Sequence, residues 1–163
     1  MTTSRFQGAR FLFLALATTV ASAQSGGAAF DSSKAWEHLR HQVAIGPRPS
    51  GSPANVKNRD YIKAQMAAFG IKTTEQPFEG ATPTGPVKMV NLIATIPGQR
   101  PDRIVLASHF DTKLFRNMRF VGASDGASST AALLQLGRAI KARGQLPFTI
   151  ELLFLDGEEA VVE

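Results

Sequence analysis

Ionisable residues collect at three places in this sequence, and each follows a stretch of apolar residues. His109 and Asp111 come directly after Arg103-Ile104-Val105-Leu106-Ala107-Ser108. Asp125 closes the string Phe120-Val121-Gly122-Ala123-Ser124-Asp125, and Glu158 and Glu159 close Phe154-Leu155-Asp156-Gly157-Glu158-Glu159. Carboxylates converging with a histidine suit a borderline cation such as zinc, which takes nitrogen and oxygen donors. Each group also has a plain structural use. Asp125 could cap a helix, Asp156, Glu158 and Glu159 could favour the dipole of a following helix, and His109 could be a satisfied half-buried ring. Taken jointly they favour a metal site, because clustered carboxylates repel one another unless a cation or a shared proton compensates. Adjacent Glu158 and Glu159 point in different directions, so one can bind metal while the other serves as general acid and base.

The elements around these residues explain how they meet. Phe148 to Leu155 reads as a strand, Arg103 to Ser108 as a strand buried on both faces, and Ala127 to Arg143, with Leu133, Leu136 and Ile140 at helical spacing, as the helix between them. Strand, helix, strand is a βαβ unit, so the two strands run parallel and deliver their C-terminal ends to one sheet edge. Ligands bind at that edge in open α/β sheets. Upstream, Asp31-Ser32-Ser33 offers cap residues for a helix carrying Ala35, Trp36, Leu39, Val43 and Ile45. Gly46 to Pro53 stops it. A second helix runs through Val56, Tyr61, Ile62, Met66 and Phe69 to Gly70. Ile71 to Phe78 has the mixed character of an edge strand, Gly80 to Pro86 turns the chain, and Val87 to Ile96 is a further strand closed by Pro97-Gly98.

Residues 1–23 have the pattern of a secretory leader. Arg5 and Arg10 form a positive start, Phe11 to Ala17 opens a short apolar stretch, and Ala21-Ser22-Ala23 is a cleavage site that leaves Gln24 at the new N-terminus. The apolar stretch, roughly 10 residues, is too short for a membrane span, which takes about 20. Removing two arginines lowers the formal net charge from +5 to +3. The remaining charges are scattered, which excludes the basic stripe of a nucleic-acid binder. With 0 cysteines the chain has no disulfide framework. The expectation is a periplasmic or secreted protein without a membrane span after cleavage: leader 1–23, flexible lead-in 24–34, and residues 35–163 as the N-terminal part of a catalytic domain.

The strings Ser108-His109-Phe110-Asp111-Thr112-Lys113, Phe120 to Asp125 and Phe154 to Ala160 resemble the glutaminyl cyclases (glutaminyl-peptide cyclotransferases) of the zinc aminopeptidase superfamily. The resemblance extends to Pro47–Ser52 and to Asn91-Leu92-Ile93-Ala94-Thr95. It implies a three-layer α/β/α sandwich on a mixed, mostly parallel sheet, truncated here at its C-terminal side. It also implies one Zn2+ with Asp125 and Glu159 as ligands, and Glu158 as the catalytic acid/base. The family's histidine ligand and its pocket residues lie further along than this chain reaches. The implied reaction converts the N-terminal glutamine of a peptide or protein into pyroglutamate with release of ammonia.

Two alternatives stay open. Secreted zinc aminopeptidases resemble the chain at the same strings; there two zincs share an aspartate matching Asp125, and His109 would bind the second metal or stand behind the ligands of the first. Those enzymes usually carry an acid after that aspartate, where this chain has Gly126. The other alternative is an inactive fragment, since two carboxylates do not complete a three-ligand catalytic zinc site.

Overall fold

The computed structural model describes residues 29–159, so the leader and Gln24 lie outside the described residues. Asp31 caps the first helix, α1 (Ser32–Ile45), by accepting the backbone N–H of Lys34 at 3.0 Å. Ser52 does the same for α2 (Pro53–Ala68), with Pro53 in the first turn, where its missing N–H costs nothing. The strands β1 (Lys72–Thr82) and β2 (Gly85–Ile96) form a hairpin, followed by β3 (Arg100–His109). A π-helical turn, Ala123–Ala127, leads into α3 (Ser128–Lys141), and β4 (Phe148–Leu155) closes the order.

The sheet runs β1-β2-β4-β3. As the βαβ reading predicts, β3 and β4 are parallel, with His109 opposite Leu155. The expected mostly parallel sheet is not found. β1 pairs antiparallel with β2, and β2 antiparallel with β4, so the sheet is mixed and mostly antiparallel. A crossover helix enforces parallel strands only for the pair it joins, and the short turn between β1 and β2 enforces the opposite.

One face of the sheet carries the core. Leu92, Ala94 and Ile96 of β2 pair with Phe154, Leu152 and Ile150 of β4, and these side chains cluster with Ile62 and Met66 of α2 and Leu133 and Leu134 of α3. Each fully buried aliphatic side chain contributes about 1.5–3 kcal/mol. Among the described residues the other face carries no helix.

Two expectations about burial fail. β3 is an edge strand whose residues 100–105 are exposed, because β4, not a further strand, is its partner among the described residues. In α1 the buried stripe centres on His38 and Gln42, while Trp36 is 59% exposed. The stripe that meets α3 is polar, so the apolar spacing misplaced the helix's inner face. β1 is the edge strand its sequence suggested. Among the described residues no helix is long and apolar enough to cross a membrane.

Candidate metal centre

The C-terminal ends of β3 and β4 and the turn before α3 bring the ionisable groups together. Asp125 sits in the π-helical turn with non-helical backbone (φ −91°, ψ 111°). It caps nothing; its carboxylate Oδ1 lies 3.0 Å from Nε2 of His109. The next residue explains how the turn comes so close. Gly126 has φ +81°, and a β-carbon there would stand 3.0 Å from both the Asp111 carbonyl oxygen and Cε1 of His109. A bare backbone therefore rests against the imidazole, and the left-handed conformation favours glycine on its own account.

At the end of β4 the strand leaves the sheet through Asp156-Gly157-Glu158-Glu159. Asp156 turns its side chain inward. Its buried carboxylate accepts the Ser50 hydroxyl at 2.7 Å, the Asn55 side-chain amide at 3.0 Å and the Val90 N–H at 3.0 Å. Beyond it, Glu158 is 59% exposed, with Oε2 3.9 Å from Nδ1 of His109. The Glu159 N–H donates to Oδ2 of Asp111 at 3.0 Å.

His109, Asp125 and Glu159 thus each present a ligand atom, and these atoms all lie within 4.8 Å of one another. Nitrogen and oxygen donors in this mix suit zinc. Ligand atoms around a tetrahedral zinc stand roughly 3.4 Å apart, given metal–ligand distances of about 2.0–2.2 Å, so a small closure of the group suffices.

The electrostatics point the same way. The Glu159 carboxyl is pushed above its ordinary range by burial, and further by the neighbouring Asp125 and Glu158. Asp111, with no exposed surface, is pushed up by burial; Asp156 adds to this, and the Glu159 N–H and His109 offset it. Nδ1 of His109 and Oδ1 of Asp111 are buried without hydrogen-bond partners, although they lie 3.4 Å apart. Crowded acids beside an unsatisfied ring nitrogen are the surroundings a cation relieves. A histidine holding metal through one nitrogen gives its other N–H to a carboxylate, the position Asp111 occupies.

Asp125, Glu158, Glu159 and His109, with Asp111 behind them, meet at this edge as the sequence suggested. The residues that hold them were not singled out. Arg48, with no exposed surface, donates through Nη1 to the carbonyls of Gln42, Gly46 and Val121 at 2.9, 2.9 and 3.0 Å, and through Nε to that of Phe110 at 3.3 Å. Burial lowers its pKa to about 10, with Asp111 acting in the opposite direction. Arg48 ties the end of α1 to the loops that carry Asp111 and Asp125. Its signal in sequence is slight: one arginine between two prolines in a loop that otherwise reads as a helix stop.

Residues 91–163 match the Peptidase family M28 model. The chain is 38% identical over 126 residues to the glutaminyl-peptide cyclotransferase-like protein of Mus musculus, covering 71% of this chain and 33% of that protein. The crystal structure of an Acidobacteriales bacterium glutaminyl cyclase superposes with a TM-score of 0.76 at 36% identity, over 88% of this chain and 50% of that one. A leucine aminopeptidase precursor from Bacteroides thetaiotaomicron superposes with a TM-score of 0.73 at 30% identity, over 80% of this chain and 48% of its own. The chain therefore spans a third to a half of the length of these proteins.

Proposed function

We propose, from the premise that the chain belongs to the glutaminyl cyclases of peptidase family M28, that the whole protein is an exported, zinc-dependent glutaminyl-peptide cyclotransferase. The observation that carries this reading is the cluster of His109, Asp125 and Glu159 with Glu158 beside it and a bare Gly126 against the imidazole. The helix-free face of the sheet is where the third layer of the whole protein's α/β/α sandwich belongs.

Asp125 and Glu159 would hold the zinc, with His109 in reach of the same position. When bound, zinc supplies Lewis-acid polarisation of the γ-carboxamide carbonyl of an N-terminal glutamine. Glu158, exposed and outside the ligand set, accepts a proton from the attacking α-amino nitrogen and returns it to the departing carboxamide nitrogen. The bond from the α-nitrogen to the side-chain carbonyl carbon forms, the carboxamide C–N bond breaks, and ammonia leaves. No water is consumed.

A second reading, a secreted aminopeptidase with one or two metals, is favoured by the short distance between His109 and Asp125. Gly126 counts against it, because those enzymes usually carry an acid at that position.

The test uses the full-length protein. The cyclase reading expects one zinc per chain, ammonia from a Gln-initiated peptide, and a product lighter by one ammonia. Glu158→Gln is expected to lower kcat by about 10²–10⁴-fold with zinc content unchanged. Two tightly held zincs with release of free N-terminal amino acids would move the assignment to the aminopeptidase. Neither activity in the metal-replete protein would overturn both.

A further inference from the structure

We infer that Asp156 is a positioning residue for Glu158, acting as a side-chain clamp that lifts the end of β4 out of the sheet and aims it at the metal cluster. This rests on the reading of Glu158 as the proton-transferring group.

The ladder between β2 and β4 ends at Leu92 opposite Phe154. Continued by two residues, it would set Val90 opposite Asp156. Two side chains take over the hydrogen bonds at that point. The Val90 N–H goes to the Asp156 carboxylate at 3.0 Å, and the Asp156 N–H goes to the Asn91 side-chain oxygen at 2.9 Å. Both backbone donors stay satisfied, as buried ones must, while the strand is freed to bend. Gly157 (φ +81°) makes that bend, and a β-carbon there would collide with Sδ of Met89.

The second oxygen of the Asp156 carboxylate is fixed just as firmly. Oδ1 takes the Ser50 hydroxyl at 2.7 Å and the Asn55 amide at 3.0 Å, which ties the turn to α2 and the loop before it. Ser50 also lies 3.3 Å from Oδ2 of Asp111, the oxygen that accepts the Glu159 N–H. The turn is thus pinned on both sides of Glu158, by two buried carboxylates that share one hydroxyl. Glu158 itself is exposed, with Nδ1 of His109 3.9 Å from its Oε2, so its place is set by the backbone. A buried carboxylate is a costly way to end a strand when an apolar residue could fill the space. Three donors converging on it from separate elements fix direction, and a displacement of about 1 Å in a catalytic group can cost up to 10²-fold in rate.

The test compares Asp156→Asn, Asn55→Ala and Gln135→Ala in the zinc-loaded, full-length protein, with kcat, KM, zinc content and thermal midpoint measured for each. Asn at 156 presents an N–H₂ either to the Val90 N–H or to the Ser50 and Asn55 donors, so one side of the clamp opens. Asn55→Ala removes one donor and leaves Asp156 intact. Gln135→Ala disrupts a buried network on α1 and α3, and serves as the stability control. The expectation is a kcat loss of about 10–100-fold for Asp156→Asn and a smaller loss for Asn55→Ala. KM stays within about twofold and zinc stays bound in both, while Gln135→Ala lowers the midpoint and spares kcat.

Wild-type kcat in both clamp variants would overturn the inference. So would losses that track zinc content, or that Gln135→Ala reproduces at equal destabilisation. Should Asp156→Asn fail to fold, Asn55→Ala decides. The variant-to-wild-type ratio is read on whichever substrate the wild type uses, a Gln-initiated peptide or an amino-acid anilide. Failure of the cyclase reading then shows in the wild type, and failure of the clamp shows in the ratio. A wild type inactive on both removes Glu158 from its role and the inference with it.

Discussion

Replacing Gly126 by alanine adds one methyl group at the point where backbone meets the candidate ligand His109. Two costs are expected. A left-handed non-glycine residue costs about 1–2 kcal/mol. The new carbon would also sit 3.0 Å from a backbone oxygen and 3.0 Å from the imidazole, tighter than ordinary contact, and overpacking of this kind costs about 1–3 kcal/mol. Gly144 serves as the reference. Its φ is +77° and nothing lies within 4 Å of a β-carbon there, so Gly144→Ala carries a positive-φ cost without crowding. Gly126 has ψ −51° beside its φ of +81°, outside the left-handed helical well, so its conformational cost is the larger as well. In thermal unfolding of the full-length protein, Gly144→Ala is expected to lower the midpoint by a few degrees and Gly126→Ala by roughly twice as much. Only Gly126→Ala should also weaken zinc binding, by about 10–100-fold in a competition titration, since it displaces His109 and the Asp111 backbone behind it. Equal midpoints and equal zinc affinities in the two variants would refute the packing of residue 126 against the imidazole.

Two further outcomes follow from the buried polar groups. Arg138 donates to Oε1 of Gln135 at 2.7 Å, which turns the Gln135 amide nitrogen towards Nε2 of His38 at 2.8 Å and leaves the Nδ1–H of His38 for Tyr61 at 2.6 Å. His38 is therefore neutral in the fold; burial lowers its pKa, as do His41, Lys34 and Arg138. A folded pKa below the unfolded value of about 6.5 gives stability that is complete above that pH and lost as pH falls through the folded value. The loss by pH 5.5 is at most about 1.4 kcal/mol, less solvent screening. Urea midpoints at pH 8 and 5.5 should show a smaller difference in His38→Gln than in wild type, and identical differences would contradict the neutral assignment. Arg48→Met removes the guanidinium from the carbonyls of Gln42, Gly46 and Val121 and leaves that of Phe110 only the Asn58 amide at 3.5 Å, and should cost about 3–5 kcal/mol in urea unfolding. Arg48→Lys should recover less than half of that, because an ammonium lacks the planar fork; a loss under about 1 kcal/mol in Arg48→Met would show that these bonds carry little.

The candidate site was legible in the sequence because it depends on local order. The β3–α3–β4 unit fixes which strand ends are neighbours, and His109, Asp125, Glu158 and Glu159 stand at those ends. The sheet order was not legible. β2 and β3 are joined by a short link, yet β4 lies between them, and no local pattern records an insertion made by a strand about fifty residues later. The clamp was hidden for the same reason, since Ser50 and Asn55 reach Asp156 across separations of 106 and 101 residues. Each of those residues has an ordinary local reading in a loop, a helix or a turn. Trp36 misled because α1 buries a polar stripe.

The insertion of β4 also governs the order in which this protein can take shape on the ribosome. The β1–β2 hairpin can close as soon as it emerges, because its contacts are local. β3 gains its partner only when residues 148–155 arrive and enter between two strands already made. Until that moment His109 and Asp125 have no Glu159 beside them, and the edge of β2 that β4 will cover stays open to other strands. The same strand that joins β2 to β3 thus assembles the acidic cluster. During synthesis, capture of a cation by His109, Asp125 and Glu159 should coincide with the docking of β4 rather than precede it, and the interval before β4 docks is when the nascent chain most needs protection from wrong pairing.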